Sequence, residues 1–468
     1  MKKQVKGFLL SAMLLLVCAS LAACGVAREY RQPDIKFPAA YRGAVPAGSW
    51  SQADSAIALM PSNSFFADAS LRLLIDSAVV NNIDLQVALK NIDYARQTLN
   101  QERLGNLPSL NIGVKGTLSN PSDKGVKTAE QYTASATASW EADIWGKIRS
   151  RKKSALASYL KTEEAARAIR TRLVADVANG YYTLLMLDTQ LDMSHKNLAL
   201  ADTTLQMIRL QYNAGQLNSL AVQQQEAAKL SIAQSIPMIE QKISAQENAL
   251  SILCGRMPGA ISREKALFSL KVVDDLPAGI PAALLQNRPD VRAAEMAVRA
   301  AYADAGEVKA TLYPSLTLTA EGGVNALRTS DWFTTPGSLF SLVQGVVLQP
   351  VFQRGQLKAK YIQSTIKRDQ SELAFRQSVL KAVSEVSDAL VQLDKVKSQE
   401  VIAAERVVTL QKAVANSGML FRSGMATYLE VIVAQTNALQ AELTLADIRR
   451  QHLTAMTELY RSLGGGWR

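Results

Sequence analysis

The sequence predicts a mainly α-helical fold with a minor membrane β component, built from two internal repeats. Three observations support this prediction. Proline-free stretches of nearly 70 residues indicate very long helices, short segments of alternating apolar and polar residues indicate strands, and both features recur about 200 residues further along the chain. Each repeat is therefore expected to run helix, strand, strand, very long helix, helix.

An export signal is predicted at residues 1–23, in which three lysines precede a short apolar run. That run is too short for a stable membrane span, so cleavage is expected. Its last residues stand directly before Cys24 and resemble a bacterial lipobox, so Cys24 is expected to carry a covalent lipid. Ordinary cleavage near Ala23 is the alternative. Gly25 follows the cysteine where Asp would favour the inner membrane, which indicates sorting to the outer membrane.

The composition argues against catalysis and against nucleic acid. The net charge of +11 falls to about +8 without the signal lysines, and we expect that excess to be spread along the helices. The chain has two histidines and three cysteines, and no Gly-rich phosphate loop, Ser/His/Asp set or paired carboxylates. We therefore expect no enzyme activity, no metal, no cofactor and no nucleic-acid partner. His195 and His452 are interpreted as solvated or packed helix positions, and Cys254 as a small buried apolar residue.

The chain contains an internal duplication. The segment from Asp84 to Pro108 matches the segment from Asp290 to Pro314 at an offset of 206 residues. After the following loop the offset is 209, as the glycine pairs indicate: Gly146 with Gly355, Gly215 with Gly424, and Gly255 with Gly464. We therefore divide the mature chain into an anchor and equatorial segment, a first repeat, an equatorial inter-repeat segment and a second repeat, at 24–65, 66–265, 266–285 and 286–468.

Four strands are predicted, two in each repeat. Residues 110–118, 132–141 and 316–325 alternate apolar and polar side chains, whereas a fourth strand near residues 339–352 alternates poorly. About ten residues is the length that a tilted strand needs to cross a membrane. An ordinary antiparallel sheet with one wet face is the alternative.

Residues 147–214 and their counterparts in the second repeat are predicted to form very long helices. The first stretch has Gly180 as its interior break, and its 68 residues would span roughly 100 Å as a helix. A heptad seam typical of coiled coils is predicted at Val379, Val383, Val386, Leu390 and Leu393, and at Val174, Val177, Tyr181, Leu184, Leu191, Leu198, Leu205 and Tyr212. Gly215 and Gly424 would end these helices, with new helices from about Ser219 and Thr427, so each repeat should form a long helical hairpin.

Four strands of membrane length cannot close a pore within one chain, and lipid forbids open sheet edges. If these strands enter a bilayer, several chains must share one barrel. Two similar repeats in each chain would add regularity to such a barrel.

The sequence is similar to one family at several points, in order along nearly the whole chain. These points are the lipobox, the opening helix from Phe65-Phe66-Ala67-Asp68 to Asn81-Asn82-Ile83-Asp84-Leu85, the joints Trp140-Glu141-Ala142-Asp143-Ile144-Trp145-Gly146 and Pro350-Val351-Phe352-Gln353-Arg354-Gly355, the inter-repeat Leu276-Pro277-Ala278-Gly279-Ile280-Pro281 with Arg288-Pro289-Asp290, and the ending Leu463-Gly464-Gly465-Gly466-Trp467. On these motifs the chain resembles the TolC-like outer membrane factors, in the lipoprotein branch that serves resistance-nodulation-division (RND) efflux pumps.

The resemblance implies a homotrimer. Its four strands per chain would form a shared 12-stranded β-barrel in outer membrane lipid, continued by a long periplasmic α-helical barrel and a small equatorial domain. The implied partners are an inner-membrane RND-type pump and a periplasmic adaptor protein, which would grip the hairpin tips at Gly215 and Gly424.

The resemblance also implies a gate near the narrow periplasmic end, where family members often carry acidic rings. Related efflux channels commonly have Asp nine residues past the second tip glycine, and this chain has Val433 there. We therefore hypothesise a looser gate of Glu430, Arg422, Phe421 and Tyr428. A solvated helix-face charge is the alternative role for Glu430.

The expected function is a passive exit duct for drugs or other toxic small molecules in a tripartite efflux complex, driven by the inner-membrane pump. Two transport alternatives are type I protein secretion and metal-ion efflux. A structural coiled-coil periplasmic lipoprotein without a pore is an alternative of another class.

Overall fold

The computed structural model of the chain describes residues 26, 28–33, 37–38, 41–42, 60–119, 129–271 and 281–467. The predicted signal peptide and the lipidation site Cys24 lie outside the described residues, as do most of the segment 24–65 and residues 272–280 between the repeats. Residues 120–128 of the first loop and residue 468 also lie outside them.

The described elements follow the order that the repeats predict. The helices are α1 (Ser62–Phe65), α2 (Ala69–Asn81), α3 (Ile83–Leu104), α4 (Lys147–Asn213), α5 (Ser219–Leu253), α6 (Leu284–Asn287), α7 (Pro289–Ala310), α8 (Gln356–Arg422) and α9 (Tyr428–Ser462). The strands are β1 (Ser109–Ser119), β2 (Ala129–Ala142), β3 (Ser315–Ala326) and β4 (Leu339–Leu348). Short 3-10 turns lie at Leu267–Ser269, Pro281–Ala283 and Thr329–Asp331.

The element boundaries keep the offsets found in the sequence. Helices α3 and α7 both span 22 residues and start 206 positions apart. The long helices α4 and α8 both span 67 residues, and α5 and α9 both span 35, with starts 209 positions apart. The duplication therefore extends to the start and end of each principal helix.

A left-handed glycine ends each long helix. The φ angle is 76° at Gly215 and 75° at Gly424, a region that favours glycine. The Gly215 N–H donates to the Tyr212 carbonyl and the Gln216 N–H to the Gln211 carbonyl, both at 2.9 Å, which are the paired bonds of a Schellman cap. A Cβ added at either glycine would meet nothing within 4 Å, so the requirement for glycine comes from the backbone and not from packing.

The four strands form one antiparallel sheet in the order β1-β2-β3-β4. The register runs across all four strands: Ile112 pairs with Ala136, Ala136 with Gly322, and Gly322 with Ser341. The β2–β3 pairing joins the two repeats, and hairpins inferred within each repeat did not predict it.

Strand β4 ends at Leu348, four residues before the predicted end at Phe352. Pro350 follows, and a proline has no N–H to donate to a strand ladder. The strand alternates poorly because it carries apolar side chains on both faces, with Leu339, Val343 and Val347 on one and Phe340, Leu342 and Val346 on the other.

The chain divides into two structural units. The sheet unit falls within Met1–Asp34, Asn91–Thr162 and Ala293–Arg376, and the hairpin unit within Ile35–Lys90, Glu163–Arg292 and Gln377–Arg468. Each unit draws on both repeats, so the structural units differ from the sequence repeats. All four strands belong to the sheet unit, and both hairpin tips belong to the hairpin unit.

The core of the hairpin unit follows the predicted seam in part on both α4 and α8. Val177, Tyr181 and Leu184 are fully buried. On α8 the seam is Val379, Ala382, Val386, Ala389, Leu393 and Val396. The predicted seam positions Val383 and Leu390 are only half-buried, as Leu191 and Leu198 are on α4. On α8 the neighbouring Ala382 and Ala389 are the buried positions, which allows a neighbouring helix to approach closely. Tyr212 is 45% exposed, so the sevenfold pattern on α4 ends before the tip.

Among the described residues, none of the helices contains an apolar stretch long enough to cross a membrane.

Candidate functional site

One face of the sheet is apolar across all four strands. Its members include Leu110, Ile112, Val114, Ala134, Ala136, Leu316, Leu318, Val343 and Val347. On β1, β2 and β3 the opposite face carries polar side chains such as Asn111, Lys115, Thr133, Thr137, Thr319 and Glu321. On the edge strands, Ile112 is 82% exposed and Val343 is 80% exposed. The predicted alternation is therefore present as a two-sided sheet whose apolar face is largely uncovered by the residues that the structure describes.

Aromatic side chains mark both ends of this sheet. At one end Trp145 stacks on Tyr313 with ring centroids 4.9 Å apart, and the Trp145 indole N–H donates to the Pro314 carbonyl at 2.7 Å. At the other end the Tyr132 ring lies 5.5 Å from that of Trp332. Tyr132 and Trp140 bracket nine residues of β2, and a tilted strand needs about 9–11 residues to cross a bilayer. Such aromatic pairs are typical of membrane–water interfaces.

All four helical connections lie at one end of the sheet. Helix α3 leads into β1 and β2 leads into α4, while α7 leads into β3 and β4 leads into α8. Because the strands are antiparallel, these four joints share one end of the sheet, and the last residues of β1 and β3 lie at the other.

The tips of the two helical hairpins pack against each other through an apolar cluster. Ile208 and Ala221 come from the first hairpin, and Phe421 and Val431 from the second. All four side chains are at most 3% exposed, and Tyr428 packs against them. Both predicted docking glycines, Gly215 and Gly424, are exposed beside this cluster.

The four predicted gate residues have separate surroundings in one chain. Phe421 is buried in the tip cluster and Tyr428 is half-buried against it. Arg422 and Glu430 are exposed. A Glu430 carboxylate oxygen accepts from the Thr427 backbone N–H at 2.7 Å, which forms a capping box at the start of α9. The structure thus assigns Glu430 a local role that the sequence analysis did not include.

One polar residue holds the base of each hairpin, Asn82 in the first repeat and Arg288 in the second. Neither role was predicted from the sequence. The Asn82 amide donates to the Leu253 carbonyl at 2.9 Å, and the Arg288 guanidinium donates to the Ser462 carbonyl at 3.0 Å. Asn82 and Arg288 are 206 residues apart, so they occupy equivalent positions of the repeats. The duplication offset was the signal that could have paired them.

Arg288 also forms ion pairs, which the neutral side chain of Asn82 cannot form. Its side chain is 5% exposed and contacts the carboxylates of Asp290 at 2.6 Å and Glu385 at 2.9 Å. Burial raises the pKa of Asp290, but the hydrogen bond and charge of Arg288 outweigh burial and leave that pKa below its usual value.

A second buried charge cluster links α8 to α9. The His452 ring nitrogen Nδ1 lies 2.5 Å from a Glu400 oxygen, and Arg449 contacts the other oxygen of that carboxylate at 2.8 Å. Burial opposes ionisation of Glu400, yet His452 and Arg449 together lower its pKa. His452 is therefore a packed position and His195 an exposed one, in line with the predicted interpretation. In the part of the chain that the structure describes, no three His, Cys, Asp or Glu side chains gather into a metal site.

Cys254 is 1% exposed, and its thiol donates weakly to the Leu74 carbonyl, which confirms the prediction of a small buried residue. Burial raises the pKa of this thiol. It is free of any disulfide.

A two-sided sheet with four helical joints at one end is the arrangement of a membrane channel protein, and a family comparison agrees with it. A model of the family described as outer membrane efflux protein matches residues 74–256 and 280–465. The chain belongs to this family.

Individual relatives match nearly the full chain. The cation efflux system protein CusC of Escherichia coli strain K12 is 28% identical over 467 residues, covering 97% of this chain and 99% of CusC. The outer membrane protein OprJ of Pseudomonas aeruginosa is 29% identical over 475 residues, covering 97% and 95%. The solvent efflux pump outer membrane protein SrpC of Pseudomonas putida is 28% identical over 454 residues, covering 96% of each chain.

Solved structures share the fold. A crystal structure of a membrane protein from Pseudomonas aeruginosa has a TM-score of 0.86 at 26% identity, covering 94% of this chain and 100% of that one. A CusC crystal structure has a TM-score of 0.84 at 27% identity, covering 95% and 100%. The predicted fold class, the outer membrane location and the role in efflux are therefore confirmed.

Proposed function

We propose that three copies of this chain form the outer membrane exit duct of a tripartite efflux complex. The observation that carries the proposal is the sheet: its apolar face is exposed, both of its edges are open among the described residues, and all four helical joints lie at one end.

The open edges favour assembly. Strands β1 and β4 each pair on one side only within the described chain. Unpaired backbone groups are costly in lipid, so a membrane sheet must close on itself. Joining β1 of one copy to β4 of the next, three times, would close a shared barrel of twelve strands. The apolar face would then contact lipid and the polar face would line the pore.

The relatives' names support an efflux cargo. CusC is named for cations and SrpC for solvents, so related chains serve chemically different cargo. We propose that this duct passes drugs or other toxic small molecules and that an inner-membrane RND-type pump selects them. A periplasmic adaptor would dock at the tips around Gly215 and Gly424, whose two hairpins the apolar cluster holds together.

Two finer features belong to the same proposal. A lipid on Cys24 would anchor the chain to the outer membrane, on the basis of the lipobox. A gate of Glu430, Arg422, Phe421 and Tyr428 would lie at the tips, with its two exposed members as opposite charges.

Single-channel recording in planar bilayers tests the proposed duct. Purified protein should give discrete conductance steps whose frequency rises with protein concentration. A Gly323→Val variant supplies the matched control, because a side chain at this position would collide with the Ala134 backbone across the β2–β3 pairing. A wild-type protein that inserts without conducting would support the non-pore structural lipoprotein instead.

A further inference from the structure

The excess of positive over negative charge comes from two short stretches of the chain. Residues 147–162 contain six lysines and arginines and no carboxylate, and residues 354–368 contain five and none. Without the signal lysines the net charge is about +8, so these eleven charges exceed it and the other residues together carry a small negative excess. The expectation of charge spread along the helices is therefore wrong.

Both stretches lie at the start of a long helix, where cations are unfavourable. The N-terminus of a helix carries partial positive charge and favours acidic residues. Helices α3 and α7 follow this rule, with Asp84 and Asp290 in their first turns and a basic residue in their last. Helices α4 and α8 break it, with no acidic residue in the first turn of either. A charge placed against the helix dipole in both repeats indicates a use other than helix stability.

The cations differ in whether a carboxylate pairs with them. Lys147 contacts Glu141 at 2.9 Å, and Arg151 contacts Glu307 at 3.1 Å. The others near the helix starts are exposed and make no ion pair within the described ranges, and we call them the basic collar: Arg149, Lys152, Lys153, Arg354, Lys358 and Lys360. Asp143 is close in sequence, but its two oxygens accept from the backbone N–H groups of Ile148 and Arg149 at 2.9 Å.

The two repeats place collar cations at equivalent positions. Arg149 and Lys358 are 209 residues apart, which is the offset of the long helices. Three copies of the chain would repeat this arrangement around the barrel as a ring of unpaired positive charge.

With the sheet in a bilayer, the collar would lie close to a lipid headgroup layer. Strand β2 ends at Ala142, the Trp145–Tyr313 pair follows, and α4 starts at Lys147. Arg149 and Lys153 are two and six residues into that helix, or about 3 to 9 Å along its axis. A headgroup layer is about 5–8 Å thick on each side of the hydrocarbon. With the hydrocarbon boundary at the Trp145–Tyr313 pair, Arg149 would lie within such a layer, and the long side chain of Lys153 would extend back to it.

We propose that the basic collar binds anionic phospholipid headgroups of the periplasmic leaflet of the outer membrane. This inference rests on the proposed function, because it needs the sheet to be in the bilayer and the helices to be periplasmic. Lys and Arg near an anionic lipid surface attract it, and salt weakens the attraction. The collar would help to fix the depth of the barrel in the membrane through its attraction to lipid phosphates. The Trp145–Tyr313 pair would help to fix the same depth through its preference for the membrane–water interface.

Lipid retention tests the proposal. Wild type, a collar variant (Arg149→Gln, Lys152→Gln and Lys153→Gln) and a control variant (Lys242→Gln, Arg406→Gln and Lys412→Gln) would be reconstituted with equal phosphatidylglycerol and phosphatidylcholine of the same acyl chains. The control removes the same charge from exposed positions of the hairpin unit. Lipid that remains bound after re-extraction in mild detergent would be counted by native mass spectrometry.

Wild type and the control should retain phosphatidylglycerol over phosphatidylcholine by about fivefold or more at about 0.1 M salt, and the collar variant should lose most of that preference. Raising the salt to about 0.5 M before extraction should reduce the wild-type preference as well. Equal retention by the three proteins would overturn the proposal, as would a collar variant whose ion selectivity changes while its lipid preference does not.

Conductance of the same samples distinguishes a failure of the collar proposal from a failure of the proposed duct. A wild type that conducts without a lipid preference would overturn the collar and leave the duct intact. A wild type that never conducts would overturn the duct itself.

Discussion

Asn82 and Arg288 hold the same joint with different chemistry. Each donates to the last carbonyl of the second hairpin helix in its own repeat. Asn82 also accepts from the Leu85 N–H at 2.9 Å, so a neutral amide satisfies two backbone groups at once. Arg288 instead holds two carboxylates, which makes its joint dependent on charge.

The two joints should differ in their cost of removal. Arg288→Met should lower the free energy of unfolding by about 3 kcal/mol, since it leaves Glu385 and a buried carbonyl without this donor, while Asn82→Ala should cost about 1–2 kcal/mol. Urea unfolding of both variants at one protein concentration measures the difference. Equal costs would contradict a charge-dependent joint.

Glu430 can be tested without disturbing the helix start. Glu430→Gln keeps a side chain that can accept from the Thr427 N–H in the capping box, and it removes the charge. If Glu430 belongs to the gate, the variant channel should lose cation preference in reversal-potential measurements in planar bilayers. Glu240→Gln is the same substitution at another exposed position of the hairpin unit, and it should leave that preference unchanged.

An unchanged preference in the Glu430→Gln channel would assign this residue to helix capping alone. The solvated helix-face role would then stand, and the gate would have to use other side chains.

At the scale of elements, helices α4 and α5 approach each other closely at Gly180. A Cβ at Gly180 of α4 would lie 2.8 Å from a terminal carbon of Leu250 on α5 and 2.9 Å from the Gln246 amide nitrogen. Leu250 is fully buried and cannot swing away freely. Gly180 is therefore a packing glycine inside the helix, in contrast to the turn glycines at the tips.

Two glycine-to-alanine substitutions should change the stability of the protein in opposite directions. Gly180→Ala should destabilise the protein by about 1 kcal/mol, because overpacking against α5 exceeds the gain in helix propensity. Gly418→Ala in α8 meets nothing within 4 Å and should stabilise by about 0.5–1 kcal/mol. Thermal unfolding of the two variants beside wild type measures both signs. Stabilisation by both would contradict the close approach of α4 and α5.

Local patterns predicted the elements better than their packing. Proline, glycine and alternation predicted three strands and both hairpins close to their observed limits, because these signals act over a few residues. The α8 seam was predicted only in part because Val383 and Leu390 are as apolar as the buried positions, and burial depends on which helices lie alongside. The Glu400–His452 contact spans 52 residues, and no local pattern signals it.

At the scale of the whole molecule, the duplication defines the architecture. The family motifs and the offsets of 206 and 209 predicted the fold class and the efflux role, and element boundaries reproduce those offsets. The β2–β3 pairing that joins the repeats could not be predicted in this way, because similar repeats do not specify which strands meet. The two basic stretches could be found in the sequence. That they lie at the same end of the sheet could be seen only in the structure.

Cross-linking between strand edges tests the shared barrel most directly. Val114 on β1 and Val343 on β4 lie on the same face at opposite edges. The row of Val114 meets β4 at Leu339, four residues from Val343, so the two are three strand spacings and four residues, or roughly 20 Å, apart within one chain. A chain carrying Val114→Cys and Val343→Cys, treated in the outer membrane with a reagent shorter than about 10 Å, can therefore link edges only between copies. A shared barrel of three chains should give covalent products of two and three chains and no larger species, with single-cysteine chains giving no three-chain product. A double variant that stays a single chain, or one that forms an open series beyond three, would contradict it.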